Sequence, residues 1–107
     1  MHNSMEELKR LKIGRSCYRV DYKDMPELYG QIRFDVRRIE LADDLQDLDA
    51  VYGVVHEMLH GIWEQRKVPE RPREERAVTE LAWGLATAFR DNPGLLTYMD
   101  KLLKSAR

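Results

Sequence analysis

The sequence predicts an α+β fold: a small three-stranded sheet preceded by a short helix and followed by a long central helix and two C-terminal helices. Three observations point there. Apolar and polar residues alternate over 18–22 and again over 30–42, the two-residue period of half-buried strands. From Asp47 onward the apolar spacing lengthens to the helical period. A length of 107 residues gives one domain, 1–107, with a core too thin to divide.

The elements follow in order. Ser4-Met5-Glu6-Glu7 has the form of a capping box and predicts a helix over 5–11, with Met5, Leu8 and Leu11 on one face and Gly14 as its breaker. Tyr18, Val20 and Tyr22 then mark a strand, and Asp24-Met25-Pro26-Glu27 a loop. Ile32, Phe34 and Val36 alternate on even positions, whereas Ile39 and Leu41 alternate on odd ones. That change of parity requires a turn near 35–37, hence a hairpin of 30–34 and 38–42. Asp47 and Asp49 suit the first turn of a helix. Ala50, Val51, Val54, Val55, Met58, Leu59, Ile62 and Trp63 nearly encircle that helix, so it is expected to be central and buried and to end before Pro69. Residues 66–73 read as a charged, proline-punctuated loop, with a second helix from Arg73 to Arg90. Asp91-Asn92-Pro93-Gly94 stops it, and Pro93 opens a last helix over 93–104. Trp63 and Trp83 are expected in the core.

Charge narrows the function classes. Eighteen basic and nineteen acidic residues leave a net charge of −1, with both signs interspersed. This composition predicts no nucleic-acid partner and no acidic solvating arm. Arg66, Lys67, Arg71, Arg73 and Arg76 are interleaved with Glu64, Glu70, Glu74 and Glu75, the pattern of a solvated, salt-bridged loop. No apolar run is long enough for a membrane span, and the charged N-terminus lacks the apolar stretch of a signal peptide, so a cytoplasmic location is expected. The single cysteine, Cys17, fits a reducing compartment as a small buried or half-buried side chain.

The segment that carries chemistry is His56-Glu57-Met58-Leu59-His60. On a helix, four residues is just over one turn, so both imidazoles project from one face toward a common point. That arrangement suits a zinc ion held by two ring nitrogens. Glu57, about 100° further round the helix, would flank the ion without binding it and serve as general base toward a water there. A catalytic zinc needs a third protein ligand. The remaining histidine, His2, is terminal, and the positions of a downstream third-histidine pattern hold Trp63 and Arg66. A carboxylate on the second helix is therefore expected, from Glu74, Glu75 or Glu80. If Ala77, Val78, Leu81, Ala82, Leu85, Ala88 and Phe89 set the apolar face of that helix, Glu80 points to solvent, while Glu74 and Glu75 both remain candidates.

With these residues in view, the chain resembles the ImmA/IrrE-type zinc metallopeptidases, and among them the short phage and prophage proteins. The resemblance spans about residues 12–104 and rests on Val54-Val55-His56-Glu57-Met58-Leu59-His60-Gly61-Ile62-Trp63, the Glu74-Glu75-Arg76 step and Asp91-Asn92-Pro93. It implies a minimal zincin fold, zinc held by His56, His60 and Glu75, and Glu57 as catalytic base. Where larger members carry Ala-Asn after the ligand glutamate, this chain has Val78-Thr79. The implied activity is endopeptidase cleavage of a protein or peptide substrate, such as a phage or host regulatory protein. A substrate segment is expected to add as a strand beside residues 38–42, taken as the sheet edge. The competing reading is a catalytically inactive interaction protein, zinc-bound or metal-free. A third, a nucleic-acid-binding accessory protein, would require a basic face that the charge balance does not supply.

Overall fold

The computed structural model describes residues 7–69 and 73–107. The elements run β1 (Arg10–Ile13), β2 (Ser16–Lys23), β3 (Gly30–Arg33), β4 (Arg38–Ala42), α1 (Asp47–Gln65), α2 (Glu74–Asp91) and α3 (Pro93–Ala106). The class is α+β, as the periodicity predicts, but the sheet has four strands instead of three. The helix expected over 5–11 is absent from its described part: residues 7–9 are not helical, and Arg10 opens β1. Ser4, its expected cap, lies outside the described residues. The physical reason sits at Gly14. Its φ of +59° places it at the first position of a tight turn with Arg15, a conformation glycine adopts without steric penalty. The chain turns back there, pairing Leu11 with Tyr18 and Ile13 with Ser16. A helix would place Leu11 and Ile13 about 200° apart, whereas a strand puts both on one face, against the core.

The strand order is β1-β2-β4-β3, with β2 and β4 parallel and the outer pairs antiparallel. The hairpin expected from the parity change forms, with its turn over 34–37. Residues 38–42 are nevertheless not the edge. Four consecutive residues of β4, Ile39 to Ala42, are buried, and such a strand is best accommodated between two neighbours. The edges are β1 and β3.

Alternation divides the sheet into two faces. Ile13, Tyr18, Val20, Ile39 and Leu41 form the inner one and pack with Val54 and Met58 of α1. On its other side α1 presents Tyr52 and Val55 to Ala82 and Ala86 of α2. The helix is central as expected, although Val51 and Ile62 remain exposed. Fully burying one aliphatic side chain of this kind contributes about 1.5–3 kcal/mol. Helix α3 packs on α2 and has no buried residue. Cys17 is exposed on the outer face of the sheet, contrary to expectation, because the inward positions of β2 are taken by Ser16, Tyr18 and Val20. Among the described residues, no helix is long and apolar enough to cross a membrane.

At the centre of the outer face Glu40 is only 2% exposed. Gln31 and Lys23 both donate to its carboxylate, the latter at 3.0 Å. These hydrogen bonds hold Glu40 below its ordinary pKa despite its burial. A depressed carboxylate stabilises the fold above the pKa of the unfolded chain, and that contribution is lost as pH falls through the folded value. Urea unfolding midpoints are therefore expected to fall on acidification below about pH 4.3, and Glu40→Gln should flatten that fall. An equal acid slope in the variant would show that Glu40 is not responsible.

Two glycines give opposite expectations. A Cβ on Gly30 would lie 2.7 Å from the carbonyl oxygen of Glu40 and 2.9 Å from Leu41 Cδ2, so backbone must shift. Gly84 is exposed within α2, with nothing within 4 Å of such a Cβ. Gly30→Ala should destabilise by about 1–3 kcal/mol, and Gly84→Ala should stabilise by about 1 kcal/mol, both read from denaturant midpoints.

Candidate functional site

Helix α1 sets His56 and His60 one turn apart, with ring centroids separated by 4.9 Å. The first turn of α2 supplies the facing acids because of how α2 is rotated. Its buried residues are Val78, Ala82 and Ala86, a stripe of small and medium side chains that lets the two helices approach. Leu81 and Leu85, which the sequence suggests as core, are exposed instead. On a helical wheel the observed stripe centres about 20° from Glu75, about 80° from Glu74 and about 160° from Glu80. Glu75 therefore faces α1, and Glu80 is exposed.

Four nitrogen–oxygen contacts tie the group together. His56 Nε2 lies 2.8 Å from Glu75 Oε2, and His60 Nε2 lies 2.8 Å from Glu75 Oε1. His60 Nδ1 is 2.9 Å from Glu74 Oε2, and His56 Nδ1 is 3.0 Å from Glu57 Oε2. Thr79 donates its hydroxyl to Glu75 Oε2 at 3.0 Å. The structure thus brings His56, His60 and Glu75 to one point and separates the roles of the two neighbouring glutamates. Glu75 meets both Nε2 atoms, whereas Glu74 reaches only the far nitrogen of His60. Glu57 is buried beneath the sheet edge, its Cγ 3.4 Å from where a Cβ on Gly30 would stand, and it is not among the convergent atoms.

Proton counting gives this arrangement its chemical meaning. A neutral imidazole has one N–H and one lone pair. Here all four ring nitrogens face carboxylate oxygens, which accept and do not donate. If both rings are neutral with their Nδ1 protons on Glu57 and Glu74, the two Nε2 lone pairs point at the oxygens of Glu75, acceptor against acceptor. A proton or another cation between them removes that clash. Two protonated rings so close would repel one another. A single cation shared by the two Nε2 atoms and Glu75 removes both conflicts. One ligand atom from each of these three residues lies within 4.8 Å of the others, so the group could hold a metal ion.

The titration directions follow from these contacts. Burial works against the charged form of His56, but hydrogen bonds and charge from Glu57 and Glu75 outweigh it and raise its pKa. Burial pushes Glu75 up, and the bonds from His56, Thr79 and His60 overcome that and lower it.

Sequence reasoning did not assign Thr79 to the site. The available signal was its position one turn beyond Glu75, on the same face. Tyr52, one turn before His56, stacks on Trp83 with centroids 3.9 Å apart and meets Tyr29 edge-on at 5.0 Å. Its ring stands 5.3 Å from that of His56, so it walls the site. Trp63 and Trp83 are both half-buried, and Trp83 packs against the core cluster of Tyr52, Val55, Ala82 and Ala86. Of the charged loop expected over 66–73, residues 70–72 lie outside the described residues.

Comparison with known protein families, with characterised proteins and with solved structures finds no match. The functional reading accordingly rests on the chemistry of the site.

Proposed function

We propose that this chain is a zinc-dependent metallo-endopeptidase of minimal zincin type, with His56, His60 and Glu75 as metal ligands and Glu57 as general base. The supporting observation is the convergence of one ligand atom each from His56, His60 and Glu75 within 4.8 Å of one another. Two imidazoles and a carboxylate from two packed helices are a zinc-type donor set that leaves room for a water. Zinc, when bound, would polarise the scissile carbonyl and lower the pKa of an adjacent water.

The chain's own residues supply the rest. Glu57 and Glu74 each accept a hydrogen bond from the Nδ1–H of one imidazole, which fixes its tautomer and aims its Nε2 lone pair. Glu57 also accepts the proton of the attacking water and passes it to the leaving amine. In the resting structure its carboxylate lies on His56 Nδ1, so this second role requires it to swing toward the ligand atoms when substrate binds. Catalytic hydrogen bonds commonly tighten only in the substrate complex. An extended peptide would add along β3, the free edge whose Gly30 lies beside Glu57, since β4 is paired on both sides. The resemblance to ImmA/IrrE-type peptidases suggests a phage or host regulatory protein as the target.

The burial of Glu57 against His56 favours a second reading, a zinc-bound interaction protein in which Glu57 only orients a ligand. One variant separates the two. In the peptidase reading Glu57→Gln retains one equivalent of zinc, because the amide oxygen still accepts from Nδ1, and cleavage of a denatured protein substrate falls by at least about 10²-fold. In the second reading the native protein cleaves nothing and the substitution changes little.

The division of labour between the two glutamates is tested by zinc titration against a chelating dye. Glu74→Ala should weaken zinc by about 10–100-fold, and Glu75→Ala should weaken it further. The reverse order would make Glu74 the ligand.

A further inference from the structure

The strand register places four arginines in one line across the sheet. Arg10 of β1 pairs with Arg19 of β2, Arg19 with Arg38 of β4, and Arg38 with Arg33 of β3. At the ordinary spacing of paired strands the line spans about 14 Å. All four lie on the outer face, opposite α1, and Lys12 lies on the same face beside Arg10. Counter-charge is scarce. Asp21 is shared between Arg19 at 3.1 Å and Arg38 at 3.2 Å, Arg33 has Asp35 at 4.0 Å, and Arg10 has no ion pair among the described residues. Arg38 Nε is closed off from solvent without being aligned to donate to Asp21. Glu40 is already engaged by Lys23 and Gln31.

Like charges directly opposite one another destabilise a sheet. Protection of an exposed edge explains Arg10 and Arg33, which sit on edge strands. It does not explain Arg19 and Arg38, which sit on the two central ones. We infer that this row is a docking surface for the phosphate backbone of a nucleic acid duplex, independent of the metal site. Guanidinium groups bind phosphate oxygens in bidentate fashion, and each of the four can take one phosphate of a duplex backbone.

Other anionic partners fit less well. A peptide docks on a sheet by running along a free edge, but this row runs across the strands and over two whose backbones are fully paired. A membrane surface calls for apolar side chains that insert, and a single strand calls for aromatic platforms. The outward residues of the four strands include no aromatic and no large aliphatic side chain.

The test is binding of a labelled duplex of arbitrary sequence, about 20 base pairs long, by fluorescence anisotropy across a salt series. Four phosphate contacts predict a log–log salt slope of about −3.6, hence about a 10²-fold loss of affinity between about 50 and about 200 mM salt. Arg19→Ala with Arg38→Ala should reduce the slope by about two, and the corresponding double lysine variant should retain it. The inference is overturned if no duplex binds at about 50 mM salt, or if the alanine pair leaves the slope unchanged. It is equally overturned if polyglutamate or anionic vesicles bind through these arginines as tightly as the duplex does.

Discussion

The arrangement of the site depends on the contact between α1 and α2. Val78, Ala82 and Ala86 lie at 0–1% exposure along one line of α2. Their limited size lets the helix rest on Tyr52 and Val55, and the rotation they impose turns Glu75 toward the histidines. A larger side chain at Ala82 would separate the two helices and withdraw the carboxylate from the imidazoles with them. The geometry of the His56, His60 and Glu75 group is a consequence of core packing, and the two cannot be altered independently.

The same helix explains the roles of the three glutamates. Helix α1 lies between two layers, so its residues have three environments available. Val54 and Met58 meet the sheet, Tyr52 and Val55 meet α2, and His56 and His60 project at the mouth between the helices. Glu57 is rotated toward the sheet and becomes buried beside Gly30, where close approach depends on the missing side chain. A buried carboxylate needs a donor, and the nearest is the Nδ1–H of its neighbour, His56. Glu74 does the same for His60 from the opposite helix. Each imidazole is thus held at its far nitrogen by one acid, and both near nitrogens are left facing a third.

Much of this was legible in the sequence where a period and a motif coincide. The boundaries of α1 and α2, the β3–β4 hairpin and the meeting of His56 with His60 all follow from spacing. What was hidden came from competing signals or from tertiary choice. Ser4 and Glu7 imitate a helix cap, while Leu11 and Ile13, with Gly14 behind them, carry the strand signal that prevails. The apolar count on α2 includes Leu81 and Leu85, whose exposure no periodicity announces. With them removed, the helical wheel favours Glu75 over Glu74, a choice the sequence alone left open. Strand order is likewise invisible to alternation, because an edge strand and a central strand can share one pattern.

Net charge conceals more than it reveals in this chain. A sum of −1 suggests a surface without preference, yet the fold segregates its charges. Glu57, Glu74 and Glu75 gather on the helical side of the sheet, and Arg10, Arg19, Arg33 and Arg38 line the other. Alternation is the cause: in a strand with an apolar inner face, every charged residue must point outward, so arginines on four paired strands fall into one row whenever their registers agree. The sheet then insulates that row from the acids behind α1, and neither group neutralises the other. A polyanion resting on the arginines would leave the cleft between α1 and α2 open on the opposite side. The two surfaces can be occupied together, and neither partner needs to displace the other.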